Sequence, residues 1–174
     1  MTPRHLFVAS ALGMLLGCTS GIEEASDDPE MLENRFVGGW DGSQTRGPTV
    51  LLLREGLSGT LSAASLGGTA EEYRIAYDVS GMIDEQTQDV TLELGCAEVS
   101  ARPMPVEGAM PEEETWGALD CAGWELSLAC GLAGDCESGD CNMICDVTHF
   151  GDAYATAEIP RTMIEDELDF WERV

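Results

Sequence analysis

From residue 36 onward, apolar and polar side chains alternate with a period of two along much of the chain. The clearest run is Glu72 to Val79, where Tyr73, Ile75, Tyr77 and Val79 share one face while Glu72, Arg74 and Asp78 share the other. Val90, Leu92 and Leu94 repeat the pattern, as do Trp124, Leu126 and Leu128 against Glu125 and Ser127. Successive side chains of a strand point to opposite faces, so these runs predict antiparallel strands with one wet face. Turn signals at Asp41–Gly42, Gly56, Gly67–Gly68 and Ser80–Gly81 separate them. Strands are expected near 36–41, 49–54, 57–63, 72–79, 88–96, 119–129, 142–150, 153–159 and 167–173. Arg102 to Glu114, with Pro103, Pro105, Pro111 and three consecutive glutamates, reads as a long surface loop. Nothing repeats at a fixed period, and no amphipathic helix longer than two turns is evident; residues 30–34 suggest one helical turn. The expectation is a single all-β domain over residues 35–174: an antiparallel β-barrel of about eight strands, or alternatively a β-sandwich.

The first residues follow a different rule. Arg4 supplies positive charge ahead of Leu6 to Leu16, an uncharged apolar run too short to cross a bilayer core of ~30 Å as a helix. Leu15-Leu16-Gly17-Cys18 resembles the lipobox of bacterial lipoproteins. The resemblance implies a signal peptide over residues 1–17, a cut after Gly17, and a diacylglyceryl group on the Cys18 thiol, with acylation of the new amino group. Each buried lipid CH₂ contributes ~0.8 kcal/mol, so two or three chains hold a protein at a membrane without a spanning helix. Thr19 stands where an aspartate would imply retention in an inner membrane, which favours the outer membrane of the cell envelope. Residues 19–33 are acidic and poor in large apolar groups, so residues 18–34 read as the lipidated end of a flexible tether.

Charge narrows the partners. The chain has 33 acidic and eight basic residues, all arginine, for a net charge of −25 that becomes −26 once Arg4 leaves with the signal. A surface this negative repels phosphate backbones, so nucleic acid is not an expected partner. The remaining 157 residues suffice for one domain with a real core. Besides Cys18 there are six cysteines: Cys96, Cys121, Cys130, Cys136, Cys141 and Cys145. An even number in an exported chain predicts three disulfides, with a stapled, disulfide-rich loop over 130–145. Cys96 ends one expected strand and Cys121 opens another, so Cys96–Cys121 is the expected first bridge. The other four cysteines leave three pairings open. No C-x-x-C is present, so a thioredoxin-like redox site has no support.

Gly38-x-Trp40 opens the domain and Phe170-Trp-Glu-Arg173-Val ends it. This pair of ends resembles the calycin pattern of lipocalins and avidins. The avidin-like opening continues with Thr49 to Leu53, a turn at Gly56, and Leu57 to Leu61. The resemblance implies a barrel whose first-strand Trp40 lies across the floor, with last-strand Arg173 packed over its ring. A guanidinium over an indole gains cation–π attraction while closing a barrel end.

Candidate chemistry is sparse. After the signal the only histidine is His149, and no Gly-x-Ser-x-Gly elbow, His-Glu-x-x-His or P-loop occurs. Among 33 acids some pair always falls at a glycosidase-like separation, so paired carboxylates carry no specificity. Asp135, Glu137, Asp140 and Asp146 crowd the cysteines but lack the spacing of a calcium loop. No catalytic residue, metal or cofactor is expected. The inward aromatics Trp40, Tyr73, Tyr77 and Trp124 either line a ligand cavity or form the core. The expected function is a non-enzymatic envelope lipoprotein that binds a small apolar ligand or a protein partner. The alternative is a structural or surface-display lipoprotein with no small-molecule ligand.

Overall fold

The computed structural model describes residues 29–42, 49–68, 70–104, 116–136 and 140–174. The expected signal segment, Cys18, most of the expected tether, Glu137 and most of the 102–114 segment lie outside the described residues.

Nine strands form one antiparallel sheet: β1 (Gly38–Asp41), β2 (Val50–Leu53), β3 (Ser58–Gly67), β4 (Glu71–Ile83), β5 (Val90–Pro103), β6 (Gly117–Ala118), β7 (Leu126–Asp135), β8 (Asp140–Phe150) and β9 (Phe170–Arg173). Eight of them close into a ring of pairings, β1-β2-β3-β4-β5-β7-β8-β9 and back to β1, while β6 adds to one stretch of β5. The two ends of the domain meet directly, with Trp40 of β1 opposite Arg173 of β9. Closure removes the unpaired edges on which strands of other chains could add.

The alternation read in the sequence places the core. Leu51 and Leu53, Leu61 and Ala63, Ile75, Tyr77 and Val79, and Leu92 and Leu94 are buried, and their strand neighbours Leu52, Thr60, Asp78 and Glu93 are exposed. In β5 the phase then changes, because Leu94 and Val99 are both buried. A bulge accounts for this: Ala76 pairs with Glu98 and Tyr77 with Cys96, so Ala97 has no opposite residue. One extra residue resets which face the following side chains occupy.

Three short helices stand beside the sheet among the described residues: α1 (Pro29–Phe36), α2 (Asp152–Thr156) and α3 (Arg161–Leu168). The registers put α1, Arg173 and the Glu55–Leu57 turn at one end of the ring. There the Gly56 N–H donates to the Glu33 carboxylate. At the other end, Ala153 of α2 donates to the Gly123 carbonyl at 2.9 Å. From α3, buried Glu167 accepts the Thr49 hydroxyl at 2.6 Å. Phe36 below and Tyr154, Ile164 and Leu168 above are all buried, so helices cover both ends of the ring.

Several expectations are corrected here. The strand expected over 153–159 is helix α2, and the strand expected from 167 begins at Phe170 after α3. The last part of the expected tether is helical, and α1 buries Leu32 and Phe36 one turn apart. Of the strand expected over 119–129 only Leu126 onward is strand, as the start of β7; β6 lies ahead of it, and between the two the chain turns at Gly123, whose φ of +82° suits glycine. The expected disulfide-rich loop is in fact the β7–β8 hairpin, with Cys130 directly opposite Cys145.

The three bridges are Cys96–Cys121, Cys130–Cys145 and Cys136–Cys141. The first closes 25 residues and ties β5 to the segment leading into β7. In the loop-entropy model it stabilises by roughly 3 kcal/mol. Replacing both Cys96 and Cys121 by serine should therefore lower the unfolding free energy by about that amount, read from denaturant melts. An unchanged melt would mean the bridge adds nothing.

Candidate functional site

The interior of the ring is occupied by the protein's own side chains. Trp40, Tyr77, Leu51, Leu61, Leu92, Leu128, Met143 and Trp171 are almost wholly inaccessible and belong to one continuous core. Trp40 is held from two sides. Its indole N–H donates to the Phe36 carbonyl at 2.9 Å, and the Arg173 guanidinium carbon lies 5.6 Å from its ring centroid. Arg173 in turn donates to the Val37 carbonyl at 2.9 Å, so the guanidinium is fixed across the bottom of the ring. Its separation from the indole falls within the ~6 Å reach of cation–π attraction.

All four aromatics singled out in the sequence are buried and belong to the core. Trp40 and Tyr77 are almost wholly inaccessible, whereas Tyr73 and Trp124, 6% and 5% exposed, also border an open cleft of about 490 Å³ at the α2 end. The rings of Tyr73 and Trp124 are 5.1 Å apart between centroids, and Trp124 stands edge-on to Tyr154 at 5.0 Å. Such pairs contribute about 0.5–1.5 kcal/mol each beyond their buried area. Tyr154 anchors the cleft wall: its hydroxyl hydrogen-bonds that of Tyr77 and lies 3.2 Å from the Trp124 carbonyl. The rest of the lining is Leu119, Ala122, Gly123, Ala153, Thr156 and Ala157, with the carboxylates of Glu71, Asp120 and Asp152.

Tyr154 carried no signal in the sequence, because its segment alternates alanine with other residues and reads as a strand. Only the helix brings its ring over the end of the ring of strands. A second missed feature lies on the outer wall. There Trp116 stacks against two arginines diagonal on β4 and β5, Arg74 at 4.0 Å and Arg102 at 4.7 Å. Arg102 also pairs with Glu72 at 2.5 Å.

All three tyrosines of the chain are held neutral. Burial and the hydrogen bond to Glu71 push the Tyr73 phenol up to about 12. Burial likewise raises Tyr77 and Tyr154 well above the ordinary value. A raised folded-state pKa gives stability that is complete below the unfolded value of ~10 and is lost as pH rises through the folded value. Phenolate absorbance should therefore stay flat through pH 10 in the native protein, and above pH 10 it should appear together with loss of structure. A native-state midpoint near 10 would show a tyrosine that is exposed.

Other candidates are not brought together. His149 is exposed and lies opposite Ser127, but the Ser127 hydroxyl donates to Glu93 at 2.5 Å and not to the imidazole. Asp135 and Asp146 sit at separate heights of the hairpin, opposite Asp140 and Ala129 respectively. Among the described residues no cluster of three histidine, cysteine or acidic side chains is placed to hold a metal ion. Also among them, no helix is long and apolar enough to cross a membrane. No protein-family model, curated protein or solved structure matches this chain.

Proposed function

We propose that the chain is a lipid-anchored protein of the bacterial cell envelope, held at the outer membrane through Cys18. In this reading its domain is a calycin-like β-barrel that works without catalysis, as a binding module. The anchor rests on Leu15-Leu16-Gly17-Cys18 directly after the apolar run. The barrel reading is supported by the ring of pairings and by the contact between Arg173 and Trp40 across the paired terminal strands. A sandwich of two separate sheets would not need β1 and β9 to pair.

The observation that carries the binding role is the cleft bordered by Tyr73 and Trp124. Lipocalin-like proteins are expected to hold ligands inside the barrel, but here Trp40, Tyr77 and their neighbours fill that space. In this reading the ligand site lies at the α2 end of the domain, outside the filled interior. The same filled core favours a second reading, a structural or surface-display lipoprotein whose negative surface keeps it soluble.

Labelling cells with a radioactive fatty acid tests the anchor. The wild type should be labelled, and Cys18→Ala should lose essentially all label and leave the membrane fraction. Equal labelling of the two would remove the lipoprotein reading.

A further inference from the structure

We propose that the outer wall of the sheet carries a second binding site, for a neutral saccharide, in the hollow bordered by Arg74, Trp116 and Glu98. The inference is independent of the Tyr73–Trp124 cleft and of the lipid anchor.

Strand register assembles this site. Alternate side chains of β3, β4 and β5 face outward, and pairing sets them side by side. Arg74 lies opposite Ser100, and Ala76 stands between Ser62 on β3 and Glu98 on β5. Ala76 is small, so the wall is hollow there, with a volume of about 510 Å³. That falls within the usual range for small-molecule sites, ~300–1,000 Å³. Trp116 is held in place at the border. Arg74 and Arg102 stack on its ring at 4.0 and 4.7 Å, and Arg102 is itself pinned by Glu72 at 2.5 Å.

The polar groups around the hollow are uncommitted. Among the described residues, Ser62, Arg74, Glu98 and Ser100 form no side-chain hydrogen bond and no ion pair. Arg74 goes without a carboxylate partner in a chain with 33 acidic residues. It and Glu98 carry opposite charges on neighbouring strands and border the same hollow, yet they do not join. A molecule that both donates and accepts hydrogen bonds bridges that gap.

The ligand class follows from this set of groups. A guanidinium offers only donors, a carboxylate only acceptors, and a serine hydroxyl offers either. A sugar hydroxyl is likewise donor and acceptor, so one polyhydroxy ring serves all four side chains, with charge-assisted bonds to two of them. The apolar C–H face of the ring packs on the accessible part of the indole, which pairs a large apolar surface with a polar edge. An anion would meet Glu98 and the field of a chain with net charge −25. A cation would meet both arginines. A neutral ligand meets neither penalty, because Arg74 and Glu98 offset each other.

The test is an NMR titration of the full chain with cellobiose, whose flat rings carry equatorial hydroxyls. Sorbitol, an open-chain polyol, and phenylalanine, an aromatic zwitterion, are the comparison probes. Cellobiose should shift the Trp116 indole N–H and the amides of Ala76, Glu98 and Ser100 along one saturable curve, and sorbitol should not. Glu98→Ala, at an exposed strand position, should weaken cellobiose about tenfold, and Trp116→Ala should abolish saturation.

Unchanged affinity in either variant, or no saturable shift at all, overturns the proposal. Equal shifts from sorbitol would show a general polyol effect and overturn it too. Tighter binding of phenylalanine would make the hollow a zwitterion site, against the saccharide assignment. Shifts confined to residues 119–124 and 152–157 would move the sugar to the cleft and leave the outer wall without a site.

Discussion

Trp40→Ala is expected to destabilise the domain by about 3–5 kcal/mol, the range for removing a large aromatic side chain from a packed core. The indole is wholly buried, carries a hydrogen bond to the Phe36 carbonyl, and supports Arg173 from within the ring. Truncation leaves a cavity where the first and last strands join, so neighbouring side chains cannot easily collapse to fill it. Arg173→Ala removes the cation and its bond to the Val37 carbonyl but no core volume. That change should cost less, about 0.5–2 kcal/mol. Urea melts of the two variants check the order. An Arg173→Ala loss as large as that of Trp40→Ala would mean that the guanidinium, and not the buried ring, holds the ends together.

Gly59→Ala should cost about 3 kcal/mol or more, at the upper end of what overpacking does in well-fitted structures. Gly59 sits on β3 opposite Leu53, where the backbone of β2 crosses very close. A Cβ added there would lie 1.8 Å from the Leu52 carbonyl oxygen and 2.9 Å from its carbon. Both are backbone atoms, so no side-chain rotation relieves the clash and β2 must shift bodily. By contrast Gly56→Ala meets nothing within 4 Å and is strained only through its φ of +73°, so it should cost about 1 kcal/mol. Thermal melts of the two variants separate them. Equal small losses would mean that β2 and β3 lie farther apart than described.

Gly59 also marks where the sequence stops being informative. Period-two alternation located β4 and the first half of β5, because those strands have one packed face and one wet face. It did not reveal that Gly59 needs to be glycine, since close backbone approach leaves no mark on hydrophobic pattern. Nor did it follow β5 past Leu94, because the bulge at Ala97 exchanges the faces. In β7 the run of Ala129, Gly131, Ala133 and Gly134 has too little side chain to show any period, so the Cys130 to Cys145 region read as a loop. The pairing of Cys130 with Cys145 comes from strand register, which spacing alone does not supply.

The helices were missed for related reasons. Ala153, Ala155 and Ala157 alternate with larger residues, yet alanine is the best helix former and is indifferent to burial. The five-residue α2 is too short to show a helical period. In α3, Ile164 and Leu168 are four apart and both buried, a helical spacing that a strand reading from residue 167 cut in half. The candidate site was half legible. Tyr73 and Trp124 stood out as inward aromatics, but the cleft depends on α2 and on the turn at Gly123, which brings Ala153 alongside. The two ends of the β domain were the most readable part, since Trp40 and Arg173 carry their chemistry in their own side chains.

Closure of the ring through the terminal strands is the claim on which the filled interior, the covered ends and the placement of the site outside the core all depend. Cross-strand backbone NOEs in the folded protein test it most directly. Contacts between Trp40 and Arg173, and between Met143 and Trp171, are expected, with the Val174 amide protected by its bond to the Gly39 carbonyl. Absence of both contacts, with amides of β1 and β9 exchanging as freely as solvent-exposed ones, would show an open sheet and contradict the account.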